Sequence, residues 1–353
     1  YTISSPFCSH DAVRFGYASS GARRYWCQKC RKTFTKRKRI TASSVSFATF
    51  DQFHTWVTGN ISRIALAQWI DSSRRTLVRK FSPFFIRPLT PMDVWVAFPP
   101  RCIHSSHPWV YGADGKWLHH DGVFLVHRDV THRENLWWRY ALNESYASWD
   151  RDIGELEQRL TDRFPAGCVS DWKRGLIAAV IHAFGDIPHQ RCLAHVARHA
   201  ATLLPKGSPF LATRRLRDIA LALRKIKTVS MMHEWKQSLT AWGYLYGDML
   251  TQKTHAPMGG TKKWWYTHGN LRRGWRLLTT DTDSFFVFLT NKGIPKTNNS
   301  LEGVNRNLKG KLGIHRGLTT AFQVSLLSWV MAFSRVKNRT DLRRLWDCWR
   351  RRS

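Results

Sequence analysis

Acidic side chains are scarce in this chain. Asp and Glu number 24 against 56 Lys and Arg, a formal excess of 32 positive charges over 353 residues. The basic residues run from Arg14 to Arg352, so the excess is not one appended tail. Such a balance excludes an acidic, self-solvating chain and suits a polyanionic partner, above all nucleic acid. Long apolar runs are also lacking. None approaches the roughly 18 residues of a membrane span, no signal peptide is visible, and no strong basic amphipathic anchor offers a membrane surface as the rival partner. Cysteines are few and odd in number, seven from Cys8 to Cys348. That argues against a disulfide framework and for a reducing compartment. No internal repeat stands out.

What is present is enough apolar residue, 43% of the chain, to bury a real core, and a length that suits two or three domains. Eighteen tryptophans are unusually many; most belong in a core, and some could stack on bases. Residues 1–39 read as a small zinc-ribbon-like knuckle. Cys27-Gln28-Lys29-Cys30 supplies two thiolates at the spacing of one edge of a zinc tetrahedron. Ser5-Pro6-Phe7-Cys8 has the same spacing with Ser5 in the first position, so Cys8, His10, Cys27 and Cys30 are the candidate zinc ligands. The alternative is a degenerate ribbon held by Tyr25, Trp26 and Phe34.

Residues 40–90 read as a helix-turn-helix domain. Phe47, Phe50, Phe53 and Val57 form one stripe, and two short helices flank the polar turn Asp71-Ser72-Ser73. The second carries Arg74, Arg75, Arg79 and Lys80, as a DNA-reading helix would. Proline breaks at Pro83 and from Pro88 to Pro100 predict a linker over 91–107.

From 108 to 205 the pattern is three strands, helix, strand, helix, short strand, helix, an α/β layout around a mixed sheet. Asp114 is expected to end the first strand, and Asp171 the fourth. Residues 206–280 read as an all-α basic insertion, and Ser284 to Leu289 as a strand. In 281–353, Thr297-Asn298-Asn299-Ser300 reads as a helix start. Leu301, Val304, Leu308 and Leu312 then mark one helical face, with Glu302 in the first turn. A basic helix closes the chain at Arg350, Arg351 and Arg352.

Asp114, Asp171 and Glu302 thus lie at two strand ends and a helix start. Carboxylates converging there repel one another unless cations neutralise them, and hard oxygen ligands suit Mg²⁺. Two such ions support an in-line displacement at phosphorus. Lys173, Arg306, Lys309, Lys311 and Arg316 are then the candidate DNA-holding residues around the acids. Each acid alone could equally be a cap, a turn or an ion-pair partner.

Four motifs carry a resemblance: Ala113-Asp114-Gly115-Lys116, Ser170-Asp171-Trp172-Lys173, the segment His189 to His195, and the segment Thr297 to Gly303. Together they resemble the bacterial insertion-sequence DDE transposases of the Mutator-related family, in the variant with an N-terminal zinc ribbon. The resemblance implies a ribonuclease-H-like core interrupted by the helical insertion, with Asp114, Asp171 and Glu302 as catalytic and metal ligands for two Mg²⁺ (or Mn²⁺). It implies a Cys-x2-His pair after the second acid, matched by Cys192 and His195, and a tryptophan of the insertion (Trp264, Trp265 or Trp275) stacked on a flipped base. It also implies double-stranded DNA as partner, through terminal inverted repeats and target DNA. A homodimer or higher on DNA and a bacterial cytoplasmic, nucleoid-associated setting follow as well. The rival readings are a sequence-specific DNA-binding regulator or decayed transposase without catalysis, and a ribonuclease-H-like nuclease.

Overall fold

The computed structural model describes residues 3–19, 21–35, 45–118, 121–256 and 263–352. At the N-terminus, strands β1 (Ile3–Ser4), β2 (Asp11–Tyr17), β3 (Arg23–Trp26) and β4 (Thr33–Thr35) pair antiparallel in chain order. So small a sheet has little apolar area to bury, and Phe34 stacked on Tyr25 with Phe7 at its edge supplies most of its packing. The boundary expected at residue 39 lies outside the described residues.

Helices α1 (Phe47–Thr58), α2 (Arg63–Trp69) and α3 (Arg74–Ile86) each begin on a serine: Ser46, Ser62 and Ser73 accept from the amides of Thr49, Ala65 and Thr76. Pro83 does not end α3 as expected; the helix runs on to Ile86. Phe84 packs face to face with Phe53 at 4.5 Å and against Trp349 at 4.8 Å, and that burial outweighs the lost helical hydrogen bond. The expected linker is also structured. It holds α4 (Pro91–Ala97) and α5 (Arg101–His104). Thr90 and Asp93 cap each other's backbone, and Pro91 sits in the first turn, where its missing N–H costs nothing.

Strands β5 (Val110–Trp117), β6 (Val123–Asp129) and β7 (Glu134–Ala141) lead through α6 (Tyr146–Leu160) to β8 (Gly167–Ser170), α7 (Arg174–Phe184), β9 (His189–Arg191) and α8 (Leu193–Leu203). The sheet order is β7-β6-β5-β8-β9; β6 is antiparallel to both neighbours, and β8 and β9 run parallel to β5. Alternation along the strands divides two cores. Tyr111, Ala113, Val123 and Leu125 face α6 and α7. Phe124, Val126 and Trp138 face the helices on the other side.

The insertion holds α9 (Leu211–Ala222), α10 (Val229–Tyr246), β10 (Lys253–His255), β11 (Trp264–Tyr266) and α11 (Gly269–Thr279). It has a core of its own around Leu216, Trp235, Trp242 and Leu278. The small β10/β11 pair departs from the all-α expectation. Ser284 to Leu289, expected as a strand, is instead a 3-10 turn followed by α12 (Val287–Thr290). Phe285 and Phe286 both turn onto Trp235, which a strand's alternation would forbid. The chain closes with α13 (Asn299–Ile314), α14 (Thr320–Phe333) and α15 (Arg339–Arg351).

Helices α1 to α3 do not stand apart from the half of the chain that holds the five-stranded sheet. Phe50 contacts Trp329, Phe333 and Trp346, so α1 and α3 share one core with α14, α15 and the sheet. Among the described residues no helix is long and apolar enough to cross a membrane.

Gly112 sets how closely α13 approaches the sheet. A Cβ there would fall 2.7 Å from Val130 Cγ2, 3.2 Å from Asn298 Oδ1 and 3.3 Å from Leu301 Cδ1. Gly112→Ala should therefore lower stability by about 1–3 kcal/mol, the usual cost of overpacking, read as a lower urea midpoint with an unchanged slope.

Candidate active site

Parallel pairing sets the first two acids side by side. Val110, Tyr111 and Gly112 of β5 pair with Gly167, Cys168 and Val169 of β8. Carried two residues further, this register puts Asp114 level with Asp171. Asp114 is not at the end of β5, which runs on to Trp117, but it lies just past the point where the ladder with β8 stops. Asp171 is aimed by its neighbour: Trp172 takes a left-handed backbone (φ 72) where the chain turns from β8 to α7, a conformation that costs on the order of 1 kcal/mol in a non-glycine residue.

These acids are poorly solvated. Asp114 is 8% exposed, and burial, with Asp171 and Glu144 adding to it, pushes its carboxyl up to about 7 against the opposing pull of Lys173 and the Gly115 amide. Its Oδ2 accepts from Asn305 Nδ2 at 2.7 Å, and its Oδ1 from the Gly115 amide at 2.9 Å. Asp171 Oδ1 is buried without a hydrogen-bond donor among the described residues. Lys173, expected on DNA, is the cation between the acids: its Nζ lies 2.9 Å from Asp171 Oδ2 and 2.6 Å from Glu144 Oε2. Burial works against its charge, but Asp171 and Glu144 prevail and raise its pKa.

Glu302 is brought to the same side of the sheet by α13, three residues before the Asn305 that bonds Asp114. Its carboxylate turns toward α8, where Arg198 Nη2 donates to Oε1 at 2.9 Å and His195 Nδ1 stands 3.9 Å away. Cys192 Sγ, a His195 nitrogen and a Glu302 oxygen lie within 4.8 Å of one another. Cys192 caps the start of α8 and accepts the Asn298 amide at 3.2 Å, which ties the beginning of α13 to α8. The three acids therefore do not form one tight cluster. Asp114, Asp171 and Glu144 surround Lys173, and Glu302 stands beside Arg198 and His195.

Two kinds of donor set result. Asp114 and Asp171 offer hard oxygens, one of them unpartnered and the other carboxyl raised to about 7 chiefly by burial, which fits Mg²⁺ or Mn²⁺. Thiol, imidazole and carboxylate at Cys192, His195 and Glu302 form a softer set, closer to zinc's preference.

In the ribbon, Cys8, Cys27 and Cys30 come together, but His10 does not join them. Its Nδ1 is 2.7 Å from the Cys8 carbonyl and its Nε2 2.7 Å from Lys29 Nζ. The buried Ser5 takes the fourth corner instead. Its hydroxyl lies 3.5 Å from Cys30 Sγ and is the main cause bringing the Cys30 thiol down to about 7.

The basic candidates divide. Arg74, Arg75 and Arg79 are exposed on α3, Lys80 is half-buried, and Arg306, Lys309 and Arg316 are exposed. Lys311 is not available to DNA: it is buried, and its Nζ donates to the carbonyls of Thr58 and Gly59 at the end of α1. Trp275 stacks on Trp242 inside the insertion core, whereas Trp264 and Trp265 are exposed on β11. Sequence reasoning missed Glu144, Asn305 and Arg198. Glu144 carries no motif, but Asn305 and Arg198 follow Glu302 and His195 by three residues, the spacing at which helical side chains share a face.

No curated protein matches the chain. Residues 130–246 match a family model described as Transposase, Mutator family, a span that includes Asp171, Cys192 and His195 and ends before Glu302. Over that span, from just after β6 through α10, the chain is similar to the Mutator family of transposases.

Proposed function

We propose that the chain is a DDE transposase acting on double-stranded DNA. The observation that carries the reading is the register of β5 on β8, which sets Asp114 beside Asp171, with α13 and Glu302 packed over Gly112 on the same face. A sheet order β7-β6-β5-β8-β9 in which β6 alone runs against the other four strands supports a ribonuclease-H-like core over 108–205 and 281–353, with 206–280 as its insertion. Asp114, Asp171 and Glu302 would hold two Mg²⁺ or Mn²⁺ ions. Bound there, such ions supply activation of an attacking hydroxyl and stabilisation of the leaving oxygen at phosphorus.

The chain's own side chains do the rest. Lys173 and Arg198 balance the acids' charge and would withdraw toward DNA phosphates as cations enter. Asn305 holds Asp114 by one oxygen. The exposed faces of α3 and α13, with Arg74, Arg75, Arg79, Arg306, Lys309 and Arg316, would grip the duplex backbone at the terminal inverted repeats and the target. Trp264 or Trp265 on the β11 hairpin would stack on an unpaired base. Cys8, Cys27 and Cys30 would hold zinc in the ribbon, with Ser5 at the fourth corner where a ligand is lacking. Synapsis of two DNA ends would take at least a dimer.

A second reading has one observation in its favour: Glu302 is paired with Arg198 and set apart from the other acids, as in a DNA-binding regulator or decayed transposase. Cleavage of a labelled duplex carrying the element's terminal repeat separates the two. With Mg²⁺ but not EDTA the chain should nick at the repeat boundary, and Glu302→Gln should reduce the rate by roughly two orders of magnitude or more, the scale of losing a group that stabilises transition-state charge. Tight, salt-sensitive binding without nicking would establish the regulator reading.

Without divalent cations, Asp114 should weaken the fold at high pH. Folded Asp114 keeps its proton up to about pH 7, whereas an unfolded aspartate loses it near ~4. The folded state binds more protons in that window, so this stabilising contribution is present below pH 4 and lost as pH rises to 7. Asp114→Asn should match the parent chain near pH 4 and exceed it by about 2–4 kcal/mol at pH 8, as measured by urea unfolding in EDTA.

Ser5→Cys should complete a four-thiolate site. Zinc retained per chain after chelator challenge, measured by elemental analysis, should rise over the parent chain, whereas His10→Ala should leave it unchanged.

A further inference from the structure

Behind α13, on the side away from Asp114, lies a cavity of about 770 Å³ between the β6/β7 turn, the start of α13 and the end of α14. Its charges are unbalanced. Arg101, Arg128, Arg133, Arg335 and Lys337 line it against Glu134 and Asp341. Glu134 is already shared by Arg101 at 2.9 Å and Arg335 at 2.8 Å. Asp341 accepts the Lys337 amide at the start of α15. Arg128, Arg133 and Lys337 thus have no carboxylate partner among the described residues.

Arg128 is the unusual member. It is 8% exposed, yet it meets only neutral acceptors. Nε donates to Ser300 Oγ at 2.6 Å, and Nη1 donates to Asn135 Oδ1. Its third nitrogen, Nη2, has no partner among the described residues. A guanidinium withdrawn from water with no carboxylate in direct contact is costly, and burial lowers its pKa to about 10 against the opposing pull of nearby Asp129 and Glu134. Asn299 and Ser300, the first two residues of α13, line the same cavity. Their amides find no carbonyl among the described residues, as is usual for a first helical turn. Together these are the donors of an anion site: helix-start amides, a planar fork with a free edge, and two exposed cations at the mouth.

We propose that this cavity binds a phosphate group, seated on Arg128 and the first turn of α13 and closed over by Arg133 and Lys337. Its chemistry fits a phosphodiester of bound DNA or the phosphate of a small molecule. Neither source calls on the three acids, so the site stands or falls independently of strand cleavage. An occupant would draw on Arg128, and through Ser300 on the turn that carries Glu302, so filling the cavity should brace the helix that presents the third acid.

Amide hydrogen exchange localises the test. The intact chain is exposed in one arm to pyrophosphate and in the other to a duplex of about two helical turns, beside Arg128→Gln and the surface double variant Arg133→Gln/Lys337→Gln. The expected result is slower exchange at Asn299 and Ser300. Loss of both mouth cations should weaken the effective ligand by at least roughly tenfold, the scale of lost charge-assisted hydrogen bonds. If DNA is the source, the duplex protects, and the slope of log affinity against log salt falls by about one for each cation removed. If a small phosphate is the source, pyrophosphate protects and the duplex slope is unchanged. No protection by either ligand in the intact chain, or protection that persists in a normally folded double variant at unchanged affinity, would overturn the proposal.

Discussion

The repulsion between Asp114 and Asp171 is the constraint on which the centre of this molecule depends. The register of two parallel strands brings their carboxylates together in a place where water is largely excluded, and Glu144 adds a third. One lysine faces all of this charge. Burying a carboxylate without compensation costs several kcal/mol, and the fold meets part of that cost by holding the Asp114 proton near neutrality. An arrangement of this kind weakens a fold in the absence of a cation, so packing alone does not account for it. The scarcity of acids elsewhere sharpens the contrast. A chain with 56 basic residues and 24 acidic ones places three acids around a single lysine.

Helix α13 connects that centre to the rest of the chain, and its faces do different work. Leu301 and Leu308 are buried in the core shared with α1, α3 and α14. Glu302 and Asn305 face α8 and Asp114. Ser300, Gly303 and Asn307 line the cavity behind. Near the C-terminal end, Lys311 satisfies the orphan carbonyls that end α1, at the expense of its own hydration. The candidate DNA-reading helices and the helix of the third acid are thereby packed as one body.

Most of this architecture was legible from periodicity. The apolar runs of β5 to β7, the short strand leading to Asp171 and the polar start of α13 are local signals, and the elements appear where they point, although Asn298 at that start makes no side-chain cap. What could not be read depended on distant partners. Pro83 looks like a stop until Phe53 and Trp349 are known to lie against Phe84. Lys311 looks like one more basic surface residue until the end of α1, some 250 residues earlier, is seen to need its charge. His10 looks like a better ligand than Ser5 by chemistry alone, and only the turn from Ser5 to His10, closed by a hydrogen bond from the Ser5 amide to the His10 carbonyl, turns the serine inward. The two acids of the sheet were visible as strand-associated residues; the ion pairs that separate Glu302 from them were not, because Arg198 lies 104 positions away in the chain.

The spacing of Cys192, His195 and Arg198 has a simple physical account. Three-residue steps along α8 keep all three on one face, and that face is turned to the beginning of α13. At the first step a buried sulfur receives the Asn298 amide and fixes where α13 starts. At the second and third, an imidazole and a guanidinium approach Glu302. The first contact is buried and dry, so solvent ions do not reach it. The other two are electrostatic and partly exposed, so they weaken as a competing cation or a polyanion approaches. A rigid anchor beside two yielding contacts can keep the α13 backbone in place while the Glu302 carboxylate changes partner.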